Sequence, residues 1–200
     1  ARRVRSLSVA EEHLTAAIEI AREYGHRRLE VLPLYERGGV AWARGDLESA
    51  RDWWVEGLAR SEQFNDEMRL AWGYGGLGLL AMCKGQSAEA RSKLEQAIEV
   101  CERHGLMERL TVARINLIEL YHFTGNFRKG LAVSDQTVSQ SREVRYLFGV
   151  GLGMRYRTLM LTDIGRFSEA MDNALASLKI HQEMETREDE LASLVVACRA

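Results

Sequence analysis

Residues 45–50 read GDLESA, residues 85–90 GQSAEA, residues 125–130 GNFRKG and residues 165–170 GRFSEA. Their glycines, Gly45, Gly85, Gly125 and Gly165, stand 40 residues apart. A fixed period of this length marks a repeat array. Each unit is one supersecondary element that buries its apolar face only against its neighbours. Such an array offers extended surface rather than a reaction centre, so the period bears on function as directly as on fold.

The repetition extends outward from the glycines. Five residues later come Ala50, Ala90, Gly130 and Ala170; twelve later Gly57, Ala97, Thr137 and Ser177; thirteen later Leu58, Ile98, Val138 and Leu178. The N-terminal stretch keeps the same phase with Leu7, Ala10, Leu14, Ala17 and Ile18. Offsets of 5, 9, 12, 13 and 16 trace one face of a helix, here helix B of each repeat. Before each glycine a second helical pattern, helix A, repeats Leu34, Gly38, Ala41 and Trp42 as Tyr74, Gly78, Ala81 and Met82, then as Arg114, Ile118, Tyr121 and His122. The spacing predicts B over 6–24, 47–64, 87–104, 127–144 and 167–184, and A over 30–44, 67–84, 107–124, 147–164 and 187–199.

Glycine after helix A supplies a left-handed C-cap. Asp46 and Asn126 read as N-caps for the helix that follows, and Ser8 with Glu11 as a capping box for the first. A second break follows each helix B near Gly25, Asn65 and Gly105, weakening to Arg145 and Glu185. Pro33, the one proline, falls in the first turn of a helix A, where a missing N–H is tolerated. No stretch alternates with period 2 long enough to predict a strand.

These residues resemble the tetratricopeptide repeat, TPR, whose G-x-[YF]-x-x-A turn appears as Gly125–Phe127–Gly130 and Gly165–Phe167–Ala170. Leu47 and Ser87 fill the aromatic slot in the other two turns. The family's small helix A residue is Gly38 and Gly78, then Ile118 and Thr158; its large helix B residue is Trp54 and Leu94, then Ser134 and Ala174. The closing proline is absent, and the repeat exceeds the usual length by about six residues. The resemblance covers essentially the whole chain. It implies an all-α, right-handed α-solenoid of antiparallel helix pairs with about ten helices, a single array over residues 1–200.

The 200 residues are 46% hydrophobic and 28% charged, with a formal net charge of −2. That balance gives no general attraction to nucleic acid or to an anionic membrane. Arg2, Arg3 and Arg5 open the chain, and Glu183, Glu185, Glu188, Asp189 and Glu190 cluster near its end; both runs read as solvated helix ends. Cys83, Cys101 and Cys198 have no framework spacing, which points to a reducing cytoplasm. No apolar run is long enough to span a bilayer. The chain opens on a helix B and stops inside a helix A, without polar caps. That predicts a segment of a longer protein whose uncapped ends permit self-association.

No catalytic constellation emerges. Gly73, Gly75 and Gly78 spell GxGxxG but fall inside a helix A rather than between a strand and a helix, so they read as helix packing; Gly149, Gly151 and Gly153 read alike. Cys101 and His104 lack a second ligand pair for a metal. Neither a nucleophile elbow nor a phosphate loop is present. The prediction is no catalytic residue, no metal and no cofactor.

In the resembled family the A helices line a concave face on which partners lie. Subtracting core positions leaves inner rows that run Leu32, Trp72, Val112, Leu152; Tyr35, Gly75, Ile115, Arg155; Glu36, Gly76, Asn116, Tyr156; Gly39, Leu79, Glu119, Leu159; Trp42, Met82, His122, Thr162; and Ala43, Cys83, Phe123, Asp163. The candidate partner-binding residues are Tyr35, Trp42, Trp72, Asn116, Glu119, His122, Arg155 and Asp163. This mixed, nearly neutral set suits a protein or peptide with apolar anchors. It does not suit a grip on a terminal carboxylate, because Tyr35, Gly39 and Gly76 stand where some family members carry polar or basic residues. Nor does it suit RNA, which needs a basic groove. The expected role is a non-catalytic scaffold, the sensor region of a larger bacterial signalling or transcription regulator such as the MalT-like proteins. The alternative is a sensor of a small molecule or signalling peptide held near Trp42, Trp72 and Tyr35.

Overall fold

The computed structural model describes residues 2–184 and residue 194, with side chains from residue 6 onward. The described residues form nine α-helices and one short 3-10 turn, with no strand. They are α1 (Arg2–Glu23), the 3-10 turn (Arg27–Glu30), α2 (Val31–Ala43), α3 (Leu47–Gln63), α4 (Glu67–Cys83), α5 (Ser87–His104), α6 (Met107–Phe123), α7 (Phe127–Glu143), α8 (Leu147–Asp163) and α9 (Phe167–Glu183). Every helix from α2 to α9 falls within two residues of the span predicted for it. The helix predicted over 187–199 lies outside the described residues, as do the thiol of Cys198 and the acids from Glu185 to Glu190.

The repeating glycine does what its spacing predicts. Gly45 has φ +84°, a region where a side chain clashes with the backbone. Its N–H bonds back to the Trp42 carbonyl at 2.9 Å, and the Asp46 N–H reaches the Ala41 carbonyl at 3.0 Å. That pair of bonds satisfies the orphan carbonyls of α2 and reverses the chain within two residues. The same bond closes the next three turns, from Gln86 to Ala81, Asn126 to Tyr121 and Arg166 to Leu161.

The turns after helix B are less uniform. Asn65 and Arg145 also take positive φ, +51° and +57°. Asparagine tolerates this region, whereas arginine does so under strain. The Arg145 side chain is exposed, so little packing is lost on removing it. Arg145→Gly is expected to raise the unfolding free energy by about 0.5–1 kcal/mol, read from denaturant melts.

Two expectations about helix starts are corrected. Helix α1 begins at Arg2, so Ser8 lies inside it and forms no capping box with Glu11. Glu11 instead pairs with Arg44 and lies 3.9 Å from Arg37 of α2. Asn126 makes no side-chain cap on α7, and its Nδ2 donates back to the Thr124 hydroxyl at 2.9 Å. Asp46 does cap α3, accepting from the Ser49 N–H at 3.1 Å. The side-chain and backbone hydrogen bonds of Ser49 hold its carboxyl below the usual aspartate range.

The contacts divide the chain into two compact units, Ala1–Gly105 and Leu106–Ala200. In the first, α1 packs on the 3-10 turn and α2, α2 pairs with α3 and α4 with α5, and α3 joins the two pairs by packing on α4. Its core is built on two aromatic side chains seated on glycines. A Cβ on Gly38 would lie 2.3 Å from Trp54 Nε1, and one on Gly76 would lie 2.4 Å from Trp54 Cδ2. Tyr35 takes the corresponding slot between Gly57 and Gly73, where added Cβ atoms would lie 2.5 and 2.9 Å from its ring. In the second unit α6 pairs with α7 and α8 with α9, while α7 and α8 pack together. There the proportions reverse. Ile118 and Thr158 occupy the helix A position of Gly38, and Ser134 and Ala174 the helix B position of Trp54, all four buried.

Candidate functional site

The candidate site lies on the faces of the A helices that their own B helices leave uncovered. In the first unit these are α2 and α4. Trp42, near the C-terminal end of α2, is 40% exposed. Trp72, near the start of α4, is partly buried and rests on the cluster of Val31, Tyr35, Ala50, Trp54 and Leu80. Trp42 corresponds to Met82 one repeat on, so the two indoles are about ten residues apart in register, or about 15 Å along the helix axes. Between them in register come Gly39 and Gly75. A Cβ added to either would meet nothing within 4 Å. These glycines differ from Gly38 and Gly76, because no packing demand of the fold accounts for them.

Tyr35 does not join this face. It is buried, and its hydroxyl lies 2.9 Å from Ser61 Oγ. Burial pushes its phenol well above the usual tyrosine range, so it stays neutral. Its backbone carbonyl accepts from Trp54 Nε1 at 3.2 Å, which locks the two aromatic slots together. The inner-row periodicity placed Tyr35 at the surface because it could not register that Gly57 and Gly73, on two other helices, open a pocket for the ring.

In the second unit the corresponding face belongs to α6 and α8, and polar pairs lace it. The Tyr156 hydroxyl donates to Glu119 Oε1. Burial, reinforced by the Glu119 carboxylate, pushes the Tyr156 phenol well above its ordinary range. It is therefore a neutral donor clamped to that carboxylate. One turn on, His122 Nε2 lies 2.8 Å from Asp163 Oδ2. The Arg155 guanidinium stacks 5.3 Å from the Tyr156 ring centroid. The structure thus brings Glu119 and Arg155 together through Tyr156, and pairs His122 with Asp163. Asn116 is a second correction. It is buried, because α6 is covered by both α7 and α8 around most of its circumference.

Other features define what the surface can do chemically. Gly73, Gly75 and Gly78 lie inside α4, where Gly73 receives Leu58 and Gly78 receives Leu94. Gly149, Gly151 and Gly153 lie inside α8 and receive Ser141, His181 and Val138. Five of these six glycines are packing positions, and Gly75 alone among them faces open space. Among the described residues no cluster of three or more His, Cys, Asp or Glu could hold a metal ion. No described helix is long and apolar enough to cross a membrane. A cavity of about 460 Å³ opens among α7, α8 and α9. Asp135 and Glu143 balance Arg142 and Arg157 in its lining, and Arg157 is held to Asp135 at 2.6 Å.

Comparison with known proteins agrees with this architecture. A tetratricopeptide repeat family model matches residues 31–56, which span α2 and the first half of α3. No curated protein matches the sequence. Among solved structures, BtubC (BKLC) from P. vanneervenii superposes with a TM-score of 0.74 at 16% identity, covering 96% of this chain and 85% of that one. A putative kinesin light chain of Podosopora anserina with nearly identical TPR-like repeats gives 0.68 at 16% identity, covering 92% and 91%. A Signal Transduction ATPase with Numerous Domains, or STAND protein, from Pyrococcus horikoshii has a tetratricopeptide repeat sensor. It gives 0.75 at 14% identity, covering 96% of this chain, which spans 33% of that one. Residues 31–56 thus match the tetratricopeptide repeat, and the chain has the fold of TPR-like repeat arrays.

Proposed function

We propose that the chain is a non-catalytic scaffold that binds a protein or peptide partner on the uncovered faces of its A helices. A fold of helix pairs is suited to this, because it presents long ridged surfaces rather than an enclosed pocket. The observation that carries the reading is the pair Gly39 and Gly75. Glycine inside a helix costs about 0.8–1 kcal/mol relative to alanine. Elsewhere in this unit helical glycines are spent on seating Trp54, Tyr35, Leu58 and Leu94, but these two face open space. Flanked in register by Trp42 and Trp72, they leave a smooth strip on which a partner backbone can lie close, with an indole anchor at each end. On the second unit, Arg155 and the clamped pairs Glu119–Tyr156 and His122–Asp163 would set polar specificity.

The likeness to the repeat sensor of a STAND protein supports a place as the sensor region of a larger bacterial signalling or transcription-regulatory protein. In such a setting, partner capture would bias a switch elsewhere in the polypeptide.

The experiment separates stability from binding. Gly39→Ala and Gly75→Ala should each raise the unfolding free energy by about 0.5–1 kcal/mol. In affinity capture from the source cells, the same substitutions should reduce partner recovery, as should Trp42→Ala, Trp72→Ala, Glu119→Lys and Arg155→Glu. Recovery unchanged across all six would sink the proposal.

A further inference from the structure

At the end of the second unit that carries the α6–α7 and α8–α9 turns, an exposed aromatic edge adjoins unpaired positive charge. Phe123 is 76% exposed and Phe167 53%. The His122 ring lies 5.6 Å from Phe123 and 6.2 Å from Phe127, so the imidazole joins the two phenyl groups into one surface. Beside them an open cavity of about 400 Å³ is lined by Gly125, Asn126, Phe127, Arg128, Lys129 and Ile164. Single exposed apolar side chains are ordinary on a soluble protein; several around one cavity mark an interaction surface.

The charge at this edge points to the occupant. Arg128 and Lys129 are exposed and have no ion-pair partner among the described residues. The neighbouring polar groups are engaged elsewhere: Asp163 lies 2.8 Å from His122 Nε2, and Arg166 is gripped by Glu169 at 2.5 Å. Arg128 and Lys129 are therefore the two cations of this edge that no described carboxylate holds. The first turns of α3, α5 and α9 carry Glu48, Glu89 and Glu169, each favoured by the helix dipole. In α7 two cations stand against that dipole instead, so they do nothing for the helix that bears them. Arginine beside aromatic rings is the composition of a recognition patch, and complementary charge sets its partner.

We propose that this edge is a docking surface for an acidic peptide segment with an apolar anchor. The anchor fills the cavity beside Phe127 and Ile164 and lies against Phe123, while flanking carboxylates pair with Arg128 and Lys129. The site rests on the scaffold reading above but uses a different surface from α2 and α4. Two cations are too few to hold a nucleic-acid backbone against the chain's net charge of −2.

The test is fluorescence anisotropy of the full 200-residue chain with a short fluorescein-labelled peptide of glutamates around a central Trp-Leu pair. Binding should occur and weaken with added salt. Arg128→Glu with Lys129→Glu, and separately Phe123→Ser, should each reduce affinity about tenfold or more. All three side chains are exposed, so circular dichroism should be unchanged. Lys179→Glu, elsewhere on the surface, should bind as the wild type does. Loss in Trp42→Ala alone would move the peptide to the α2 face and overturn this site while leaving the scaffold reading intact. No binding by the wild type, or equal binding by the edge variants, overturns the proposal. So does a single-stranded oligonucleotide of matched charge that binds as tightly and is lost in the same variants. A dimer in sedimentation that Phe123→Ser abolishes would assign the edge to a second copy of the chain and overturn it likewise.

Discussion

Trp54→Ala should lower the unfolding free energy by about 3–5 kcal/mol, the range for emptying a buried aromatic site. The loss has two parts. The indole fills the space between α2 and α4, where Gly38 and Gly76 receive it. It also gives the Tyr35 carbonyl, which lies inside α2, a second hydrogen bond from Nε1 at 3.2 Å, and alanine loses that buried bond. The second unit suggests how to refill the site. There Ile118 stands where Gly38 does, and Ser134 where Trp54 does. Gly38→Ile alone should be strongly destabilising, because its first carbon already collides with the indole. Combined with Trp54→Ser, it should recover part of the loss, with a coupling energy of about 1–3 kcal/mol in a double-mutant cycle by urea denaturation. Strict additivity would mean that the two halves do not exchange volume across the same contact.

That exchange marks the boundary of what the sequence makes legible. The 40-residue period and the helix phases follow from residues read along one strip, and the structure reproduces them almost residue for residue. Glycine at Gly45 and its equivalents is a local requirement and was readable as such. What escaped was set by other helices. Tyr35 has the periodicity of a surface row, yet it is buried because Gly57 and Gly73 lack side chains. Asn116 shares a face with Glu119 but is covered by packing on both sides. The pairing of Tyr156 with Glu119 joins residues 37 positions apart, a separation no local motif encodes. Periodicity reports which way a residue points from its own axis; it does not report how far the neighbouring helix reaches.

A polar contact hidden in the same way should give the second large effect. Glu30 ends the 3-10 turn between α1 and α2, and its side chain is 0% exposed. Arg22 Nε from α1 lies 3.0 Å from one carboxylate oxygen, and Arg27 Nη1 lies 3.2 Å from the other. Both arginines keep substantial contact with water, so each cation is cheap to hold in place while the carboxylate is not. The asymmetry decides which substitution hurts. Removing Glu30 releases Arg27 to solvent and leaves Arg22 facing Glu56 at 3.4 Å, at modest cost. Removing both arginines leaves a buried anion unpaired, and breaking buried pairs in that direction costs about 3–5 kcal/mol. Arg22→Leu with Arg27→Leu should therefore lower the unfolding free energy by about 3 kcal/mol in chemical denaturation at neutral pH. Adding Glu30→Met should recover most of the loss, since all three groups are then apolar. A triple variant no more stable than the double would show that the arginines act through their own packing rather than by holding the Glu30 charge.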